Sequence, residues 1–299
     1  MTYSIVARCA ETGQMGVAVQ SHFFSVGAVV PWLEAGVGAV ATQAMAEVAH
    51  GPDTLTHLRA GRAPLDALAA VLAADAHAQT RQVAAVDASG RAAAHTGALC
   101  IDAAGHVVGD GFTAQANMMW HPGVPEAMAA SFTASTGPLS RRLLATLDAA
   151  QQAGGDLRGQ QSASVTIVAG TASERSGHDR LMDVRVDDHP EPLVELRRLV
   201  ELSLAYRRME DAEEAMTAGE LDTALAIYAD SMASQPDQQE FPFWHAVLLA
   251  GLGRIEEARV LIAPVLAEPH GDGWRELLRR LPAAGLLDEV GAAGLLDQP

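Results

Sequence analysis

Stretches with the two-residue alternation of strands and stretches with helical periodicity come in blocks in this chain rather than alternating one for one. That order limits the fold more than any single motif. Thr2–Ala7 and Gly16–Ser21 are β-prone runs separated by the turn-rich Ala10-Glu11-Thr12-Gly13, and Val26–Trp32 and Gly38–Thr42 continue the pattern. Pro64-Leu65-Asp66 opens a helical segment with Leu65, Leu68, Ala69 and Leu72 on one face. Strands are expected at Gln82–Asp87, Arg91–Thr96 and Val107–Phe112, then helices near Val124–Phe132 and Leu139–Gln151. The second of these helices ends at Gly154-Gly155, and Ala163–Ala169 and Met182–Val186 complete the strands. Strands, helices and strands again favour an α+β domain with two central sheets and helices outside them, over a doubly wound parallel sheet.

The remainder of the chain reads differently. From Glu191 to Met216 the apolar residues Leu193, Leu196, Val200 and Leu204 recur at helical spacing. Gly219 and Gly253 lie 34 residues apart, as do Ala212 and Ala246, Ala224 and Ala258, and Tyr228 and Ile262. That is the period of tetratricopeptide helix pairs, with the small alanines allowing close helix approach and the glycines at the inter-helix turns. Pro236 and Pro269 end the second helices. The expected organisation is therefore residues 1–190 as the α+β domain and 191–299 as a small all-α helical-repeat region with two such units.

Charge narrows the partners. A net charge of −17 argues against nucleic acid and against an anionic membrane surface. All 20 basic residues are arginine, so a lysine base or Schiff base is excluded. The two cysteines, Cys9 and Cys100, form no redox or zinc motif. The eleven histidines show no metal-binding spacing, so neither a metal nor a cofactor is expected. With no leader and no apolar run of membrane-spanning length, the expectation is a soluble cytoplasmic protein.

Thr2 is the residue with the most chemical content. If Met1 is removed, one residue carries both a nucleophilic hydroxyl and a free α-amine to act as its base, a known route to covalent acyl chemistry. If the first two strands form an antiparallel hairpin, the end of the second, Gln20-Ser21-His22, lies beside Thr2, which makes Ser21 a site candidate. Thr113-Ala114-Gln115-Ala116-Asn117 follows a strand, and the Asn117 amide is a candidate oxyanion donor. The polar loop Gly154–Ser162 offers Asp156 and Arg158, the latter with a fork suited to a carboxylate. Neither a phosphate-cradling loop nor a Gly-x-Ser-x-Gly elbow is present.

Taken together, Thr2–Arg8, Gly16–Ser21, Gly38–Gln43, Gly154–Ala163 and Asp183–Pro190 resemble the domain of unknown function 1028 (DUF1028) family, over roughly Thr2 to Leu204. The resemblance implies membership of the N-terminal-nucleophile (Ntn) hydrolase superfamily, an αββα four-layer sandwich, and Thr2 at the start of the first strand as nucleophile. It names no substrate. Cys9 stands where relatives usually carry Asp, and Gln115-Ala116-Asn117 replaces the commoner Gln-Gly-Asn. The lysine that superfamily members often keep near the nucleophile is absent.

The resulting expectation is an amidohydrolase acting on a small-molecule amide, with Thr2, Asn117 and Ser21 catalytic and Asp156, Arg158, Gln43 and Gln161 binding substrate. The alternative is a non-catalytic binding or scaffold protein. The helical tail then serves a protein partner; its plainer reading is stabilisation of the fold or contact between copies of the chain in a homo-oligomer.

Overall fold

The computed structural model describes residues 2–173 and 177–297. Contacts divide the chain into two units, Met1–Val200 and Glu201–Pro299. The described residues carry ten α-helices and two antiparallel sheets, a mixed α+β structure whose C-terminal part is mostly helical. No described helix is long and apolar enough to cross a membrane.

The first unit is built on a six-stranded sheet and a four-stranded sheet. The larger one contains β1 (Thr2–Arg8), β2 (Met15–Ser21), β7 (Gly105–Gly109), β8 (Phe112–Asn117), β9 (Ser162–Val168) and β10 (Arg180–Val186), in the order β10-β9-β2-β1-β8-β7. The smaller one contains β3 (Pro31–Glu34), β4 (Gly38–Ala44), β5 (Arg81–Asp87) and β6 (Ala92–Thr96), in sequence order.

Alternation along each strand sets what faces what. Val6, Val17 and Val19 of the larger sheet and Ala39, Ala41, Ala84 and Val86 of the smaller one share a single buried cluster, so the two sheets face each other across an apolar core. The other face of the larger sheet is covered by α3 (Val124–Ala134) and α4 (Leu139–Gln152). Gly16 on β2 permits the close approach of α4, since a Cβ there would stand 2.7 Å from Leu143 Cδ1. The other face of the smaller sheet packs on α1 (His50–Arg59) and α2 (Pro64–Ala73) through Val40, Val83, Leu55 and Leu68.

Two expectations need correction. Val26–Trp32 is not one strand. Residues Val26–Ala28 form a 3-10 turn, and the edge strand β3 starts at Pro31, a position where a missing N–H and a fixed φ are tolerated. Val107–Phe112 is likewise not one strand but the junction of the β7–β8 hairpin, turning at Asp110-Gly111 with Gly111 at φ +72°. Thr113–Asn117, expected to follow a strand, is therefore the body of β8. Helix α1 was not anticipated.

The second unit contains most of α5 (Pro192–Thr217), then α6 (Leu221–Ser234), α7 (Glu240–Gly251), α8 (Ile255–Ala267), α9 (Gly271–Arg280) and α10 (Glu289–Leu296). Gly219 and Gly253 form the turns α5–α6 and α7–α8, at φ +81° and +76°. The other residues of the 34-residue offset, Ala212, Ala246, Ala224, Ala258, Tyr228 and Ile262, are all buried. Pro236 and Pro269 follow the ends of α6 and α8.

Candidate functional site

The register of β1 decides what lies beside Thr2. Tyr3 pairs with Gln20 on one side, so Thr2 stands opposite Ser21, and Thr2 pairs directly with Asn117 on the other. Side chains of Thr2, Ser4, Ser21, Gln115 and Asn117 all project from the larger sheet toward the smaller one. From there Gln43 and Gln82, paired across β4 and β5, project back.

The Thr2 hydroxyl donates to Ser21 Oγ at 3.1 Å. The Thr2 carbonyl accepts from the amides of Asn117 at 3.3 Å and Gln43 at 3.4 Å. Behind them runs a buried chain. Gln115 donates to Ser4 Oγ, which donates to Gln43 Oε1, both at 2.7 Å. Gln82 Oε1 accepts from Gln43 at 2.6 Å and from Asn117 at 2.9 Å. The Gln82 amide reaches the Ala116 carbonyl at 2.9 Å and Thr96 Oγ1 at 2.8 Å. Thr96 meets His106 Nδ1 at 2.8 Å. Burial, then the neighbouring His95, lowers the pKa of His106 and favours its neutral ring.

Sequence reasoning did not single out Ser4 or Gln82. Each is polar at an inward position of a strand that is otherwise buried and apolar, and that mismatch was a readable signal.

Thr2, Ser21 and Gln43 open on a cavity of about 70 Å³ whose other walls are Phe23, Val26, Val29, Val30, Ala44 and Ala46. None of these side chains ionises. The walls of this cavity therefore supply no side-chain base. A second cleft of about 590 Å³ shares Phe23, Val29, Ala44 and Ala46 with this cavity and adds Asn117, Met118, Arg81, Cys100 and Arg158. Burial pushes the Cys100 thiol up, which disfavours the thiolate.

Two residues at the site have a backbone conformation that side chains disfavour. Ala44, at the end of β4, has φ +67°, and Met118, just after β8, has φ +61°. Each follows one of the amides that hold Thr2. Strain of this kind, about 1–3 kcal/mol per residue, tends to cluster at functional sites.

The remaining sequence candidates separate. Asp156 is buried and accepts from the backbone N–H of His22, just after β2, at 3.0 Å and from that of Arg158 in its own loop at 2.9 Å. The Arg158 guanidinium lies 3.3 Å from the same carboxylate and lines the larger cleft. The loop is also tied to the segment after β8, since Trp120 N–H donates to the Gly155 carbonyl. Gln161 is directed elsewhere: its side chain donates to Asp188 at 3.1 Å and its carbonyl accepts from His189 N–H. Met1 lies outside the described residues.

Residues 2–196 match a family of unknown function, DUF1028. The chain belongs to the DUF1028 family. The same family includes a protein from Silicibacter pomeroyi whose crystal structure is similar to this chain, with 35% sequence identity and a TM-score of 0.61. The similarity covers 67% of this chain and 84% of the other. No curated protein matches the chain. The DUF1028 match spans every residue of the Thr2 network and ends within α5, before the helical second unit begins at Glu201.

Proposed function

We propose that this DUF1028 protein is an N-terminal-nucleophile amidohydrolase in which Thr2, freed by removal of Met1, attacks the carbonyl of a small-molecule amide. The observation that carries this reading is the Thr2 hydroxyl in a cavity lined by no ionisable side chain, with its carbonyl held by two buried amides. In such a place the α-amine of the same residue is the available base. The facing sheets with helices on their outer sides support the αββα part of the reading.

The reaction runs in two halves. The α-amine takes the proton from Thr2 Oγ as Oγ bonds to the acyl carbon, and that proton passes to the leaving nitrogen as the C–N bond breaks. Water then cleaves the Thr2 ester, releasing a carboxylic acid and restoring the hydroxyl. Ser21, which accepts the Thr2 hydrogen bond, orients Oγ. Asn117 and Gln43 position Thr2, and the long 3.3 Å bond from Asn117 to the Thr2 carbonyl is the one it can exchange for a developing oxyanion. Arg158 borders the substrate cleft, and Asp156 fixes its loop.

Intact-mass measurement of the purified protein before and after a β-lactone tests this. Loss of one methionine followed by a single adduct mapped to Thr2 is expected. A retained Met1, or a trimmed chain that stays unlabelled, would sink the reading.

The second unit supports a second, non-catalytic role. Two helix hairpins offset by 34 residues, with small buried residues at equivalent positions, fit tetratricopeptide-like packing, and such repeats commonly bind peptides. We propose this region as a surface for a protein partner or a second copy of the chain.

A further inference from the structure

The cleft beside the Thr2 cavity carries information on substrate class, and the inference drawn from it rests on the amidohydrolase reading. At about 590 Å³ it falls in the range of small-molecule pockets. The Thr2 cavity itself, at about 70 Å³, holds roughly two water-sized groups. That is enough for a carbonyl oxygen and an attacking water. The rest of a bound molecule must extend past Phe23 and Val29 into the cleft that shares them.

The cleft wall is apolar and incompletely covered. Met45, Val48, Leu99 and Ile101 line it and are 63%, 42%, 68% and 55% exposed. Two cations border it, and each already has a carboxylate. Arg81 Nε lies 2.7 Å from Asp75, and Arg158 lies 3.3 Å from Asp156. The cleft thus presents matched charge at its edges and an apolar surface between them, which favours a neutral apolar group.

We infer that the substrates are amides of an extended, uncharged apolar acyl group, and that this group lies along Met45, Val48, Leu99 and Ile101. The acyl part is the part held there because it remains bonded to Thr2 Oγ between the two halves of the reaction. The amine departs after the first half, so a fixed apolar wall serves the acyl group through both steps.

The test uses the full trimmed chain and two β-lactones that differ only at the α-carbon, one methyl and one octyl. Thr2 Oγ bonds to the lactone carbonyl, the acyl C–O bond of the ring opens, and the ring oxygen takes the proton. The adduct therefore adds the whole lactone mass. Thr2 should be labelled at least about tenfold faster by the octyl compound. The ratio should collapse in the Leu99→Asp/Ile101→Asp double variant, whose changed side chains are mostly exposed. Octanamide should slow octyl labelling more than acetamide does at equal concentration, a readout that needs no variant.

Equal labelling of Thr2 by both lactones would overturn the acyl inference and leave the nucleophile standing. Absence of any Thr2 adduct would remove both. Octyl labelling that falls as protein concentration rises, with a doubled solution mass, would assign the apolar rim to a second copy of the chain and overturn the inference.

Discussion

Gln43 Nε2 donates to Gln82 Oε1 at 2.6 Å between directly paired residues of β4 and β5, and both side chains are buried. The contact joins the smaller sheet to Thr2, because Gln43 also reaches the Thr2 carbonyl and Gln82 accepts from Asn117. Gln82 is thus the common partner of the two amides that hold the proposed nucleophile.

Replacing Gln82 by Leu should be costly for that reason. The side chains are close in size, but the amides of Gln43 and Asn117 lose a shared acceptor and the Ala116 carbonyl loses a donor. Each buried polar group left without a partner costs about 1–3 kcal/mol. A loss of about 3 kcal/mol in urea unfolding is expected, with slower labelling of Thr2 as its carbonyl is released. Gln82→Leu as stable as the parent would mean that the chain of amides contributes nothing to the core.

The Thr2 proposal has its own signature in pH and in substitution. Thr2→Ala should lose the adduct by at least about 100-fold, and Thr2→Ser, which keeps hydroxyl and α-amine, should stay within about tenfold of the parent. The base acts only when unprotonated, so labelling should rise with pH through the α-amine range of about 7.7–8.0 and then level off. A flat profile between about pH 6 and pH 10, roughly two units either side of that range, would exclude the α-amine as base.

Much of the layout was legible because strand runs and helix stripes obey simple periods. Placing Ser21 beside Thr2 needed only an antiparallel hairpin, and the Thr2–Ser21 hydrogen bond matches it. The position of Asn117 was obscured by a local signal that went unused. Asp110-Gly111 is a hairpin turn, and reading it as such puts Asn117 at the end of β8 opposite Thr2. The Gln43–Gln82 contact was out of reach, since it depends on the register of β4 on β5 and on one sheet facing the other. Gln161 shows the converse. It neighbours site residues in sequence, yet its side chain bonds Asp188 because the loop turns it away.

Gly97 makes the cleft wall sensitive to a single methyl group. A Cβ there would lie 2.2 Å from the Gln79 carbonyl oxygen and 2.7 Å from that of Ala78, both main-chain atoms. The same Gln79 carbonyl accepts from Leu99 N–H at 2.7 Å, and Cys100 N–H donates back to the Gly97 carbonyl at 3.0 Å. Gly97→Ala should therefore displace the segment carrying Leu99 and Ile101. A destabilisation of about 2 kcal/mol and faster amide hydrogen exchange at Leu99 and Cys100 are expected. Unchanged exchange at both amides would show that the segment holds by other contacts.

His50 should make stability fall on mild acidification. Its Nε2 stands 3.3 Å from Asp75, which favours the charged ring, but burial outweighs that and the pKa lies below the ordinary 6.5. In the unfolded chain the ring gains its proton near 6.5, whereas the folded ring resists it. The unfolded state then binds more protons, so this contribution is complete above 6.5 and is lost as pH falls from there to the depressed folded value. Asp75 gives a second, lower window. Its hydrogen bond from Arg81 and its backbone N–H from His77 hold the carboxyl at about 2, so its contribution is present above 3.8 and is lost as pH falls from there to about 2. Urea unfolding of the parent at a series of pH values should show both declines, and His50→Gln should shrink the upper one, to which the buried His106 also contributes, while leaving the lower. An upper decline of undiminished size in His50→Gln would assign it wholly to other groups.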